Sequence, residues 1–262
     1  MGYEGSMKRR LRSGVRIAPV SVPRMRSAFY ALAPGGWRDY YTLLHLPYTI
    51  WHLSYVVLGF ALAPSVRYGR LGPALGAFFL GMAISAHALD ELSGRPLQTN
   101  IPKGVLQGLA VSGLAGAVAL GVAGAVLVTP WLFVFIAFGV FIAPAYNLEW
   151  FHGRFHSNFW FGFAWGVFPF LTAYWVSAEK LAPSAAFGAL AVFSLSLAQR
   201  ILSSRVRSVR RRIRQMEGSI TYTDGTTEGV DRRWMLSADE TALKWMVVAV
   251  TATSIAVLLA RL

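Results

Sequence analysis

The chain has 262 residues, 55% of them hydrophobic and only 14% charged, with a mean hydropathy of +0.47. A water-soluble domain of this length carries about 25% charged residues, so the composition excludes an ordinary soluble globule, and the long apolar runs exclude a disordered chain. Lys and Arg number 25 against 12 Asp and Glu, a formal net charge of +13; the lack of Cys excludes disulfides, thiolate metal sites and Cys nucleophiles. This is the composition of an integral membrane protein, and its positive charge reads first as a topology signal.

Residues 1–40 form a basic arm with eight Lys and Arg up to Arg38 and no apolar stretch of signal-peptide length. Residues 1–6 fit the short myristoylation pattern, and the Arg- and Ser-rich stretch 7–38 has the make-up of an organelle transit peptide. A cytoplasmic arm lying on anionic lipid is the preferred reading of both.

The remainder, 41–262, reads as one transmembrane domain. A bilayer core needs about 20 apolar residues per helix. Seven runs approach that length: 43–63, 71–89, 104–128, 131–146, 159–177, 181–198 and 242–260. Pro144 and Pro169 predict kinks in two of them. The third run has small residues at four-residue spacing (Gly108, Ser112, Gly116 and Gly113, Ala117, Gly121, Ala125), which predicts close backbone contact with a neighbour. Loops on one side carry Arg95 and Lys103, then Arg154, then nine Arg between Arg200 and Arg233; the other side offers Arg67, Arg70 and Lys180. Positive-inside therefore places the N-terminus and the Arg-rich loop 200–240 in the cytoplasm, in a bacterial-type plasma membrane.

The most informative stretch is 87–102, HALDELSGRPLQTNIP. His87, Asp90 and Glu91 stand at i, i+3 and i+4, on one face at the end of a membrane helix. Ionisable groups at that depth are costly and mark candidate functional sites. Two carboxylates beside an imidazole suit a hard cation such as Mg²⁺, and Arg95 suits a phosphate. The blander alternative, weighted equally on residue types alone, is a helix end whose acids face water and pair with Arg95.

An ionisable turn, then Gly94-Arg95-Pro96-Leu97-x-Thr99-x-Ile101-Pro102, then a small-residue helix resembles the first motif region of the UbiA superfamily of intramembrane prenyltransferases. On Arg95-Pro96, the family's three Asp positions fall on Ile84, His87 and Glu91, its Asn on Gly94, and Asp90 is an added acid. Tyr146-Asn147-Leu148-Glu149 with Arg154, then Asn158, Gly162, Trp165, Pro169 and Tyr174, is similar to the family's stretch after its fourth helix. The resemblance runs over 43–198. It implies an all-α polytopic membrane bundle, here of about seven transmembrane helices, with a cavity open to the cytoplasm. It further implies transfer of a prenyl group from a polyprenyl diphosphate to a lipophilic acceptor. His87, Asp90 and Glu91 would be the catalytic and Mg²⁺-binding residues, and Arg95, Arg154, Arg200 and Arg205 would bind the diphosphate. Tyr146, Asn158 and Trp165 would line the substrate pocket. The family's second acidic motif, expected after the sixth run, has no counterpart: 198–212 holds arginines and no acid.

Seven Arg lie in 200–214. Attraction to anionic lipid is the ordinary explanation, worth about 1 kcal/mol per basic residue. Charge capture of a phosphorylated lipid is the functional one, with Arg200 and Arg205 expected to reach a central cavity and Arg210–Arg214 to lie along the surface. Nucleic-acid binding is set aside, because aromatic interleaving is absent from the run. Glu149, His152 and His156 have metal-ligand spacing and, with His87 and Glu91, suggest a di-iron enzyme as a rival; Gly153 and a total of five His argue against it. His45 and His52 lie seven apart and are expected to bond across helices. Thirteen aromatics between Tyr146 and Trp175 suit an interfacial belt or an isoprenoid pocket. Two further functions stay open: an isoprenoid cyclase using Asp90 or Glu91 as proton donor, and a prenyl-lipid-binding protein without turnover.

Overall fold

The computed structural model describes residues 25–262, so the myristoylation pattern and residues 7–24 of the basic arm lie outside the described residues. The described chain is mostly helical. A short α1 (Trp37–Leu43) meets α2 (Leu46–Leu62) at His45, which takes a left-handed backbone (φ 46°), and Pro47 sits in the first turn of α2 where its missing N–H costs nothing. There follow α3 (Tyr68–Leu92), α4 (Lys103–Leu127), α5 (Leu132–Asn147), α6 (Asn158–Ala178) and α7 (Pro183–Arg212). A hairpin of β1 (Glu217–Thr221) and β2 (Thr227–Asp231) leads into α8 (Arg232–Leu259). Five helices, α3, α4, α6, α7 and α8, are long and apolar enough to cross a membrane; α2 and α5 are shorter apolar helices. That is the composition of an integral membrane bundle.

Two helices widen locally into π turns, Phe79–Ala86 within α3 and Phe163–Val167 within α6. The first is fitted to the small-residue face of α4. A Cβ on Gly113 would lie 2.8 Å from the Leu80 carbonyl oxygen and 2.9 Å from the Ser85 amide. Ser85 Oγ also donates to the Ala110 carbonyl at 2.8 Å. The stripe expected on α4 therefore does bring two backbones together at Gly113, whereas Gly108 faces open space. Around α2 and α6, Trp51, Tyr55, Phe170, Tyr174 and Val192 form one core. Phe60, Phe78, Ile142, Tyr146 and Trp165 form another between α3, α5 and α6.

The stretch expected as an Arg-rich loop over 200–240 is corrected. Helix α7 runs on to Arg212, and α8 begins at Arg232 instead of residue 242. Val206 and Val209, three apart on α7, are buried against Leu236 and Leu243 of α8, so an apolar stripe carries both helices past the membrane segment. Between them the polar stretch folds as a hairpin because Asp224-Gly225 supplies a turn. Gly225 takes φ 85°, and Asp224 Oδ1 accepts from Thr226 N at 2.9 Å. Asp231 then caps α8 by accepting from Trp234 N at 2.8 Å. Residues 25–31, expected within the arm, lie on the bundle, with Met25 and Phe29 against the α7–α8 cluster.

At the opposite end, Arg67 and Arg70 reach Glu179 at 2.6 and 2.7 Å and tie the start of α3 to the end of α6. The hydrogen bond from Arg70 outweighs burial and holds the Glu179 carboxyl below its usual range. A depressed carboxylate contributes stability above its unfolded pKa and loses it as pH falls through the folded value. The destabilising effect of Glu179→Gln should therefore shrink on acidification through the carboxylate range, read as thermal stability in detergent. For α4, Gly113→Ala should cost about 1–3 kcal/mol by overpacking, while Gly108→Ala should be neutral within ~0.5 kcal/mol.

Candidate functional site

At the Arg-rich end, side chains from α2, α3, α5, α6 and α7 surround a polar cavity of about 230 Å³, walled on one side by Ala28, Phe29 and Tyr30. Helical spacing explains the lining. On α3, Met82, Ala86 and Asp90 stand four apart, with His87 beside them; on α7, Gln199, Ser203, Arg207 and Arg211 do the same, with Arg200 beside them. His45, Tyr48 and His52 come from the start of α2.

Three groupings define the interior. The His45 and His87 rings stack at 4.1 Å, and the His156 ring stacks on Tyr146 at 4.6 Å. Arg200 donates to Tyr146 Oη at 2.6 Å and to Asn158 Oδ1 at 2.9 Å, with its guanidinium 4.9 Å from the Phe161 ring centre. His45 Nε2, His52 Nδ1, His87 Nδ1 and Gln199 Oε1 are buried without a hydrogen-bonding partner among the described residues. Such orphaned groups cost about 1–3 kcal/mol each, so four of them around one cavity, from α2, α3 and α7, mark a place built for polar company. Tyr30, outside the helices, is pushed well above the usual phenol range by burial and by Tyr48, so it stays a neutral donor.

The arginines of α7 divide by face. Arg205 pairs with Asp239 at 3.1 Å, and Arg210 pairs with Glu240, both on α8. Arg200, Arg207 and Arg211 face the cavity and bond neutral oxygens: Tyr146 and Asn158, the Ser203 and Ser204 hydroxyls, and the Ser27 carbonyl. Among the described residues none of these three forms an ion pair. Three guanidinium charges thus face a cavity whose only lining carboxylate, among the described residues, is Asp90.

The expected residues are partly assembled. His87, Asp90, Tyr146, Trp165 and Arg200 line the cavity, and Asn158 reaches it by holding Arg200. Glu91 does not. It is fully buried and accepts from Leu97 N, Thr99 N and Thr99 Oγ1 at 2.8–2.9 Å. Arg95 donates to the Thr99 and Ile101 carbonyls at 2.9 and 2.7 Å, so both residues fold the 93–101 loop. Arg205 is committed to Asp239, and Arg154 is exposed outside the lining. With Glu91 spent, the His87, Asp90, Glu91 set does not fit Mg²⁺. Among the described residues no three His, Cys, Asp or Glu side chains gather as metal ligands. The di-iron set is not gathered either: Glu149 comes within 3.9 Å of His156 Nδ1, but Glu149 and His152 are exposed where residues 149, 151 and 152 take left-handed backbones, and only His156 and His87 line the cavity.

Sequence reasoning missed Arg207, not placed among those expected to reach the cavity, Arg211, expected along the surface, and His45 and His52, expected to bond across helices. The signal was present as the four-residue spacing 199–203–207–211, hidden by reading the stretch as a loop.

A second, apolar groove of about 520 Å³ runs between α3, α4, α5 and α6. Met82 and Trp165 line both it and the polar cavity, so these two side chains form a common wall. No family model matches the chain, nor does any curated protein or solved structure.

Glu91→Ala should strip three acceptors from buried donors and lower stability by about 3 kcal/mol or more, whereas Asp90→Asn should change it by less than about 1 kcal/mol. Chemical denaturation of the detergent-solubilised protein measures both.

Proposed function

We propose that the chain is an intramembrane prenyltransferase that binds a polyprenyl diphosphate and passes its prenyl group to a lipophilic acceptor. The observation that carries this reading is the placing of Arg200, Arg207 and Arg211, against the single carboxylate of Asp90, around a cavity that shares its Met82 and Trp165 wall with an apolar groove. A ligand matching both halves has an anionic head and a long apolar tail. Guanidinium groups hold phosphate oxygens bidentately and keep their charge when desolvated.

The reaction follows from that placement. Arg207 and Arg211 would hold the diphosphate, and Arg200, fixed by Tyr146 and Asn158, would stabilise the charge that grows on the leaving oxygen. The carbon–oxygen bond breaks with its electron pair leaving on the diphosphate. The allylic cation is then left against Trp165, Tyr146 and Phe161, whose ring faces stabilise it. The acceptor's nucleophilic atom bonds that carbon and gives up its proton to Asp90 or the neighbouring imidazole of His87. By positive-inside, this end faces the cytoplasm.

A second reading is favoured by one observation: Asp90 is the only carboxylate lining the polar cavity among the described residues. Protonation-initiated cyclisation of an isoprenoid needs one such acid and no acceptor.

Purified protein incubated with prenyl diphosphates and followed by pyrophosphate release and product mass spectrometry separates these readings. Transfer predicts release of pyrophosphate, lowered about tenfold or more by Arg200→Ala or Arg207→Ala and retained in chelator. A cyclised product without release would favour the second reading, and binding without turnover would leave a lipid-binding protein.

A further inference from the structure

We propose that Tyr30 is a headgroup-binding residue, carried to the polar cavity by the segment 25–31 and donating its phenol to the anion that Arg207 and Arg211 hold; this rests on reading the cavity as a headgroup site. No helix of the bundle supplies this residue. Ala28, Phe29 and Tyr30 form one wall of the cavity, and the segment that carries them is tied down at several points. Ser27 Oγ donates to the Leu97 carbonyl at 3.0 Å, and Arg210 donates to the Arg26 carbonyl at 3.2 Å. The Lys244 ammonium lies 5.6 Å from the centre of the Phe29 ring.

The Tyr30 ring is seated by other rings: Phe29, His45 and Tyr48 lie at 5.2, 5.4 and 5.5 Å between centres. A phenylalanine would make the same contacts, so packing does not account for the hydroxyl. Among the described residues that hydroxyl makes no hydrogen bond. Its surroundings are charged. Burial and Tyr48 push the phenol up, Arg207 and Arg211 act against them, and Asp90 adds to them, so the oxygen lies within the field of all three charges. A neutral phenol beside two guanidinium groups is a donor placed where the oxygens of a bound anion would lie. Arg211 can turn to such an anion at little loss, because its bond to the Ser27 carbonyl is long, at 3.4 Å. The segment thus offers Arg211 a carbonyl before an anion binds and gives the anion a phenol donor afterwards.

Tyr30→Phe keeps the ring and removes the donor. Binding of inorganic pyrophosphate and of farnesyl diphosphate is measured by calorimetry for the full chain in detergent. Farnesol serves as the uncharged control, and the unliganded melting temperature checks the fold. Wild type should bind both anions. Tyr30→Phe should weaken both about tenfold, with farnesol affinity and melting temperature unchanged. Combined with Arg207→Ala, its effect on pyrophosphate should not add, because both residues act through one anion. Pyrophosphate bound by Tyr30→Phe as tightly as by wild type overturns the assignment and leaves the headgroup reading standing. Equal weakening of farnesol, with a lowered melting temperature, shows a wall residue only and likewise overturns it. Wild-type protein that binds neither anion overturns the headgroup reading and the role of Tyr30 with it.

Discussion

A carboxylate at the end of an apolar helix has to be satisfied from within the protein, and at Glu91 that requirement shapes the whole Arg-rich end. Its two oxygens take donors from Leu97 and Thr99. Arg95 closes the same loop from the other side, and Ser27 Oγ donates to the Leu97 carbonyl at 3.0 Å. Asp39 adds a further tie, accepting from Gly35 N and Asn100 N, both at 3.0 Å. With the loop folded back, Pro96 and residues 28–30 become walls of the polar cavity. Removing one buried acceptor thus loosens a turn, an N-terminal segment and a cavity wall together.

The cavity's inner side depends on a different device. The two π turns place Met82 and Ala86 on one helix and Trp165 on another towards the same space. A π turn shifts the side chains after it relative to a regular helix, which is one reason such turns recur at functional positions. In α3 the shift is stabilised by Gly113, where the Leu80 carbonyl and the Ser85 amide come too close for any larger residue. The small-residue face of α4 therefore acts through α3: it seats the widened turn that precedes His87 and Asp90.

Much of this was legible in the sequence. The apolar runs located the five long apolar helices and the two shorter ones to within a few residues at most ends, because hydrophobic length is a local property. His87, Asp90 and Arg200 could be singled out because polar groups at the ends of apolar runs are few, whereas Tyr146 and Trp165 came from the family resemblance. Glu91 and Arg95 could not be assigned correctly, since their partners come from a loop that turns back on itself, and spacing along a helix does not report that. Arg207 and Arg211 were obscured by composition: a dense Arg run reads as solvent-exposed. Yet Val206 and Val209 between the arginines set one face of the helix against α8 and left the other to the cavity.

That division of faces decides the chemistry the site can support. An arginine paired with a carboxylate has its field largely cancelled, as for Arg205 and Arg210. Arg200 is instead held by a phenol and an amide, which fix the guanidinium without neutralising it. Fixing a charge beforehand matters, because the protein need not reorganise as negative charge grows on a leaving diphosphate. A bound metal ion would supply the same field through a ligand set, and here the acid that would complete that set is spent on the Leu97–Thr99 loop. Helix α7 carries positive charge in its place. The proposed recognition of a diphosphate by oriented arginines, with Asp90 left to carry a proton, draws on this placing of one carboxylate among three guanidinium groups.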